Sequence, residues 1–284
     1  MVAIVLALTS AVAYGVSDFA GGVASRRIQP LRVVLVSYPV SAIVIGVAAP
    51  FVAGVPTPGS LLWGGASGIV MALAMWWFYI ALAEGPMSVV SPLTAIIVAG
   101  LPVIVGIALG ERPTALAYAG IALALGAIVL VTKEGSTASN VPLTRTFTPR
   151  VAQFTVGAGS CFALSFVFTH QIEAGTGLWP LLVARGIASV VVVAAAVLVR
   201  QSTLPQGATA RLAVMIGLLD VVANVTMLYA FQAGLLSVVS ILIALYPAVT
   251  VGFAIVVLKE RIVHFQIVGL ALSLIAIAAV AASG

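Results

Sequence analysis

Of the 284 residues, 63% are hydrophobic and 7% are charged, and the mean hydropathy is +1.28. A soluble domain carries about 25% charged residues, so this chain cannot cover itself with a wetted surface and is expected to lie in a membrane. The net charge of +5 needs no nucleic acid, since membrane proteins gather Lys and Arg in the loops on one face of the bilayer.

A spanning helix needs about 20 mostly apolar residues. Ten such runs follow one another, at roughly 2–24, 31–53, 60–83, 86–110, 114–132, 150–172, 177–200, 209–232, 235–258 and 262–282. None alternates apolar and polar residues as a transmembrane strand would. The first run lacks the positive leader of a signal peptide and is expected to stay as a helix. It holds Tyr14 and, one turn on, Asp18. Trp76, Trp77 and Tyr79 gather late in the third run. Ser88 and Ser91 open the fourth, which also carries Pro92 and Pro102. The longest polar stretch, KEGSTASNVPLTRTFTPR, covers 133–150 at the middle of the chain. Cys161, the only cysteine, lies in the sixth run, and His170 sits near that run's end. Arg185 falls inside the seventh, and Asp220 and Asn224 share a face of the eighth. Ser237 and Ser240 open the ninth, ahead of Pro247.

Five runs precede the polar stretch and five follow it. The halves match in register: adding 149 carries Gly85 to Gly234, Ser88 to Ser237, Ser91 to Ser240, Glu111 to Glu260, Gly120 to Gly269, Leu123 to Leu272 and Ala127 to Ala276. Nearer each start, adding 150 carries Ser10 to Ser160 and Pro30 to Pro180. Chance matching among Ala, Val and Leu does not explain paired serines, glycines and Glu-Arg. The expected domains are a first five-helix repeat at 1–132, a polar linker at 133–149 and a second repeat at 150–284. Because five is odd, the second repeat enters the membrane from the opposite side. The fold class is therefore all-α integral membrane protein, ten transmembrane helices as two inverted five-helix repeats. Such a pair can exchange two conformations and open a cavity to either side.

With GER and KER between the fourth and fifth helices of each half, and with LYPAVTVGFAIVVLKERIVHFQIVGLALSLIAI at 245–277 and SAVAYGVSDFAGGVASRR at 10–27, the chain resembles the EamA type of the drug/metabolite transporter superfamily. The resemblance covers essentially the whole chain. It implies transport of amino acids, other small metabolites or drugs, often outward. It also implies a central cavity lined by helices 1, 3, 4, 6, 8 and 9, with helices 5 and 10 at the periphery. The loop at 54–60 departs from the pattern, being uncharged where many relatives look basic.

The odd-numbered loops hold Arg26, Arg27, Arg32, Lys133, Arg145, Arg150, Arg200, Arg211, Lys259 and Arg261, and the even-numbered ones only Arg112. The positive-inside rule then puts the odd loops in the cytoplasm and both termini outside. The expected location is the cytoplasmic membrane of a bacterium.

An ionisable side chain at membrane depth costs about 2.5–3.5 kcal/mol on insertion scales, so it faces a cavity or a partner. Asp18 reads as a proton or cation site, as the acid in the first helix of the small multidrug-resistance branch suggests, or as an interfacial partner of Arg32. Asp220 and Asn224 have no counterpart in the first half, where Met71 and Met75 stand, and are expected to face the cavity. The seventh and eighth helices share a short turn near residue 204, which sets Arg185 level with about Asn224. One helical turn is about 5.4 Å, so Arg185 is expected to bond Asp220, Asn224 or both. The pair is then either a structural clamp or a latch that substrate displaces. Tyr14, Trp76 and Tyr79 are candidates for lining or stacking on substrate, and Trp77 fits a membrane-surface belt. His170 is a candidate gate beside a plain interfacial role. Ser88, Ser91, Ser237 and Ser240 offer hydroxyls to substrate or small surfaces to helix packing. The three prolines permit kinks. Glu111-Arg112 and Glu260-Arg261 are expected at helix starts as structural anchors.

No Walker loop, H-E-x-x-H or Cys/His metal spacing is present, so no enzyme, metal or cofactor is expected. The sequence reads as a secondary, non-ATP transporter moving a small organic solute by alternating access, an exporter of amino acids or related metabolites, with coupling either absent or to protons through Asp18 or Asp220. Its partners are the solute and the lipid bilayer, and it is expected as a monomer or weak homodimer. The alternative is a non-transporting membrane scaffold or sensor subunit.

Overall fold

The computed structural model describes residues 1–25, 28–85, 87–132, 147–198, 204–258 and 264–283, with the side chains of Ser25, Pro30, Tyr79, Leu82, Ala83, Met87, Ser88, Ser91, Pro92, Thr132 and Leu258 outside that description. The described residues form helices α1 (Val2–Ser25), α2 (Pro30–Ala48), α3 (Pro58–Glu84), α4 (Met87–Ala108), α5 (Ala115–Thr132), α6 (Pro149–His170), α7 (Trp179–Leu198), α8 (Gly207–Ala233), α9 (Leu236–Ile243), α10 (Tyr246–Leu258) and α11 (His264–Ala281). A 3-10 turn, Ala49–Phe51, ends α2. Eight stretches are long and apolar enough to cross a membrane, and two shorter apolar helices, Leu93–Ala108 and Ala115–Val131, complete the ten. In lipid every backbone polar group must be satisfied within its own segment, which is why apolar runs of this length become helices.

One expected span differs. The ninth is broken into α9 and α10 at Ala244–Leu245. Pro247 has no N–H to offer the carbonyl of Ile243 four residues back, and its ring crowds that turn. The fourth helix, by contrast, runs from Met87 to Ala108 through Pro102.

The helices divide into two compact units. Leu73–Val167 and Gly234–Gly284, with Met1, make the first, and Val2–Ala72 with Phe168–Ala233 make the second, so each draws on both halves of the sequence.

In the first unit α5 packs on α11 and α4 on α9. The α5–α11 crossing records the repeat directly. A Cβ on Gly120 would lie 2.7 Å from Val280 Cγ2, and one on Gly269 would lie 2.8 Å from Val131 Cγ2. Adding 149 turns Gly120 into Gly269 and Val131 into Val280, so one contact is the other with the partners exchanged. A two-fold axis produces such reciprocity. The residue number rises along α5 as it falls along α11, so the helices are antiparallel and the axis crosses them. That is the inverted repeat.

In the second unit α1 packs on α8, and α2 packs on both α7 and α8. Its apolar centre holds Ile45, Ala49, Ile172, Leu178, Leu181 and Leu228. Two glycines in register, Gly68 and Gly217, let backbones meet. A Cβ on Gly68 would fall 2.4 Å from the carbonyl oxygen of Ala184, and one on Gly217 would fall 2.7 Å from that of Ser37. Small residues at crossings are how apolar helices associate where no hydrophobic force distinguishes neighbour from lipid.

Candidate functional site

Within the second unit, polar side chains from four helices form one network centred on a carboxylate. Asp220 of α8 accepts from Arg185 of α7 at 3.0 Å, from Asn224 Nδ2 at 3.0 Å and, on its other oxygen, from Ser41 Oγ of α2 at 2.6 Å. Asn224 Nδ2 also donates to the Asp220 carbonyl at 2.7 Å, and its Oδ1 accepts from Tyr14 of α1 at 3.0 Å. The Arg185 guanidinium lies 5.4 Å from the centre of the Tyr38 ring. Beside this hub, Ser10 Oγ of α1 donates to the carbonyl of Ala223 at 2.8 Å.

Arg185, Asp220 and Asn224 are all buried. The expected Arg185–Asp220 bond is therefore present, and Asp220 accepts three side-chain donors, which satisfies a charge that burial alone would make costly. Each of α1, α2, α7 and α8 supplies a member of this network.

The mirrored positions hold no such group. The offsets of 150 and 149 set Leu164 opposite Tyr14, Val191 opposite Ser41, Leu35 opposite Arg185, Met71 opposite Asp220 and Met75 opposite Asn224. Sequence reasoning named Tyr14, Arg185, Asp220 and Asn224 but missed Ser41 and Tyr38. Both lie in an apolar run of α2, and only the crossing of α2 with α7 and α8 brings them to the pair.

The other candidates are scattered. Asp18 is exposed, and among the described residues its carboxylate has no hydrogen bond or ion pair. Trp76 is exposed, and Trp77 packs its ring against Gly157 of α6. Nδ1 of His170 is 3.1 Å from the carbonyl of Phe231, and its ring stands edge-on to that phenyl. Ser237 and Ser240 are fully buried, and Ser240 Oγ donates back to the Leu236 carbonyl at 2.6 Å. The side chains of Tyr79, Ser88 and Ser91 lie outside the described residues, as does Glu260.

Glu111 does not start a helix of its own. It follows α4 in a turn, and its two carboxylate oxygens accept the backbone N–H groups of Leu236 at 2.5 Å and Ser237 at 3.0 Å. The favourable meeting of an acid with a positive helix end holds as expected, but the helix is α9, contributed by the other half of the sequence.

One solved structure, described only as "Crystal structure of protein", matches with a TM-score of 0.76 at 16% identity over 98% of this chain and 95% of that chain. Identity that low carries the fold alone. No curated protein matches the chain. The description "EamA-like transporter family" matches residues 1–133 and 150–282, one match to each half. With apolar helices throughout its described residues and a reciprocal two-fold contact between α5 and α11, the chain belongs, by that match, to the EamA-like transporter family, membrane transporters of the drug/metabolite type.

Proposed function

We propose that this protein is a secondary transporter that exports a small organic solute, an amino acid or related metabolite, by alternating access and in exchange for protons. The observation that carries this reading is the polar hub of the second unit, set where the mirrored positions are apolar. A scaffold needs only the packing that the apolar version already supplies. Polar groups that are absent from their mirrored positions serve something that is not symmetric, and a solute is the natural candidate. Tyr14, Asn224 and the Arg185–Asp220 pair flank the pathway in this reading, with Trp76, Tyr79, His170, Ser88, Ser91, Ser237 and Ser240 along it.

Proton coupling is assigned to Asp18 in preference to Asp220. A proton carrier must be free to exist in both states, and protonating Asp220 would strip Arg185 of its counter-charge. Asp18 has no such partner to lose. The protein needs no cofactor and works as a monomer or weak homodimer. Its two repeats, 1–132 and 150–284, join through the linker at 133–149, and loop charge places both termini outside the cytoplasm.

The test is uptake into proteoliposomes over metabolite pools, followed by the variants. Asp18→Asn should abolish flux driven by a pH gradient and leave counterflow exchange intact. Full gradient-driven flux in Asp18→Asn would refute the coupling. No flux of any pool by the unmodified protein would favour the scaffold or sensor.

A further inference from the structure

The N-terminal end of α9 is held in an unusual way. Its first residues follow Leu235, whose side chain makes no cap. The first N–H groups of any helix lack partners within it. Here Glu111 supplies them, one carboxylate oxygen to Leu236 and the other to Ser237. These are charge-assisted bonds, about twice as strong as neutral ones.

The approach of Glu111 is built into the end of α4. Gly110 adopts φ 99°, the Gly110 N–H donates to the Ile107 carbonyl at 3.0 Å, and the Glu111 N–H donates to the Gly106 carbonyl at 3.0 Å. This pattern is a Schellman motif, which reverses the chain after a helix and requires the left-handed residue that glycine tolerates. The reversal leaves Glu111 against the last turn of α4. Gly106 leaves it room: a Cβ there would lie 2.4 Å from Glu111 Oε2 and 3.2 Å from the Ser237 nitrogen.

The far end of α9 is the break at Ala244–Leu245 before Pro247. So α9 is an eight-residue segment with a discontinuity at one end and a carboxylate clasp at the other. We propose that α9 is a gate arm hinged at Ala244–Leu245, and that Glu111 is the latch that holds its free end to the α4–α5 turn. Releasing the carboxylate frees the arm to swing about the hinge, and recapture closes it. The clasp joins segments from the two sequence repeats inside one compact unit.

Ser237 gives a direct reporter. It is fully buried, and its Oγ has no hydrogen-bond partner among the described residues. Ser237→Cys therefore removes no bond. In a Cys161→Ser background, maleimide labelling of Ser237→Cys in membrane vesicles reads how often the arm opens. Glu111→Ala should raise that rate about tenfold or more, the scale expected from losing charge-assisted hydrogen bonds. Gly106→Ala keeps the carboxylate but fills its place, and should raise the rate in the same way if Glu111→Ala folds poorly. A control cysteine, Ser273→Cys at a buried position of α11, should label at an unchanged rate. Equal acceleration at both cysteines would mean general loosening and would overturn the latch, as would no acceleration at Ser237→Cys. The assay needs no substrate, so the latch can fail while the transport reading stands, and the reverse.

Discussion

A buried arginine and aspartate can stabilise a protein or merely be tolerated by it, and the mirrored positions of this chain separate the two cases. Removing one partner strands a charge, which costs about 3–5 kcal/mol, whereas replacing a whole buried pair by apolar residues is often neutral. Arg185→Leu and Asp220→Met each copy a residue that the other half already uses at the corresponding place, Leu35 and Met71. Either single change should lower the melting temperature of the purified protein sharply. The double change should recover most of the loss and yet leave transport impaired, because the hub and not the packing is gone. Thermal unfolding of the four proteins, read with their uptake rates, checks this; strictly additive losses would contradict the ion pair. Asn224→Ala should act more mildly, since it breaks the link to Tyr14 but leaves Arg185 and Ser41 on the carboxylate.

Helix crossings set the next scale, and the glycines that permit them differ in what a methyl group would meet. Gly68→Ala and Gly217→Ala put a Cβ into the backbone of the facing helix, where nothing can give way cheaply. Each should cost about 1–3 kcal/mol, the usual price of overpacking. Gly100→Ala and Gly126→Ala meet nothing within 4 Å, so they should be neutral or stabilise by up to about 1 kcal/mol through helix propensity. Comparing melting temperatures of the four variants decides it, and equal effects in all four would count against the crossings described. The broken ninth span makes a further claim at this scale. Pro247→Ala restores an N–H for the Ile243 carbonyl and should join α9 to α10. The variant should gain thermal stability and lose turnover, and a faster transporter would argue against the hinge.

Across the whole molecule the question is which way it faces. Ten of the eleven loop cations belong to the odd-numbered loops between the ten spans, with α9 and α10 together making the ninth span, and the positive-inside rule reads that bias as cytoplasmic odd loops. Fusions at residue 1 and residue 284 with a reporter active only outside the cytoplasm should both be active. A reporter active only in the cytoplasm and functioning at both ends would reverse the orientation. With the odd loops cytoplasmic, Glu111 and the start of α9 would lie on the extracytoplasmic face, because the fourth loop and the eighth are both even-numbered. On that assignment the Glu111 latch guards the outer opening, and externally added maleimide should reach Ser237→Cys.

The membrane class, the ten apolar runs and the register of the repeat were legible in the sequence, because each depends on local composition or on residues compared at a fixed offset. Even the Arg185–Asp220 bond could be anticipated, since a short turn between two helices fixes which residues share a depth. What needed the tertiary structure was every partner brought in by a crossing rather than by a turn. Ser41 and Tyr38 look like ordinary members of an apolar helix until α2 meets α7 and α8. Glu111 looks like the start of α5, and physical chemistry correctly sends it to a positive helix end. Which helix end it reaches is decided by the Schellman turn at Gly110 and the packing of α4 on α9, a contact between residues 125 positions apart that no local rule encodes.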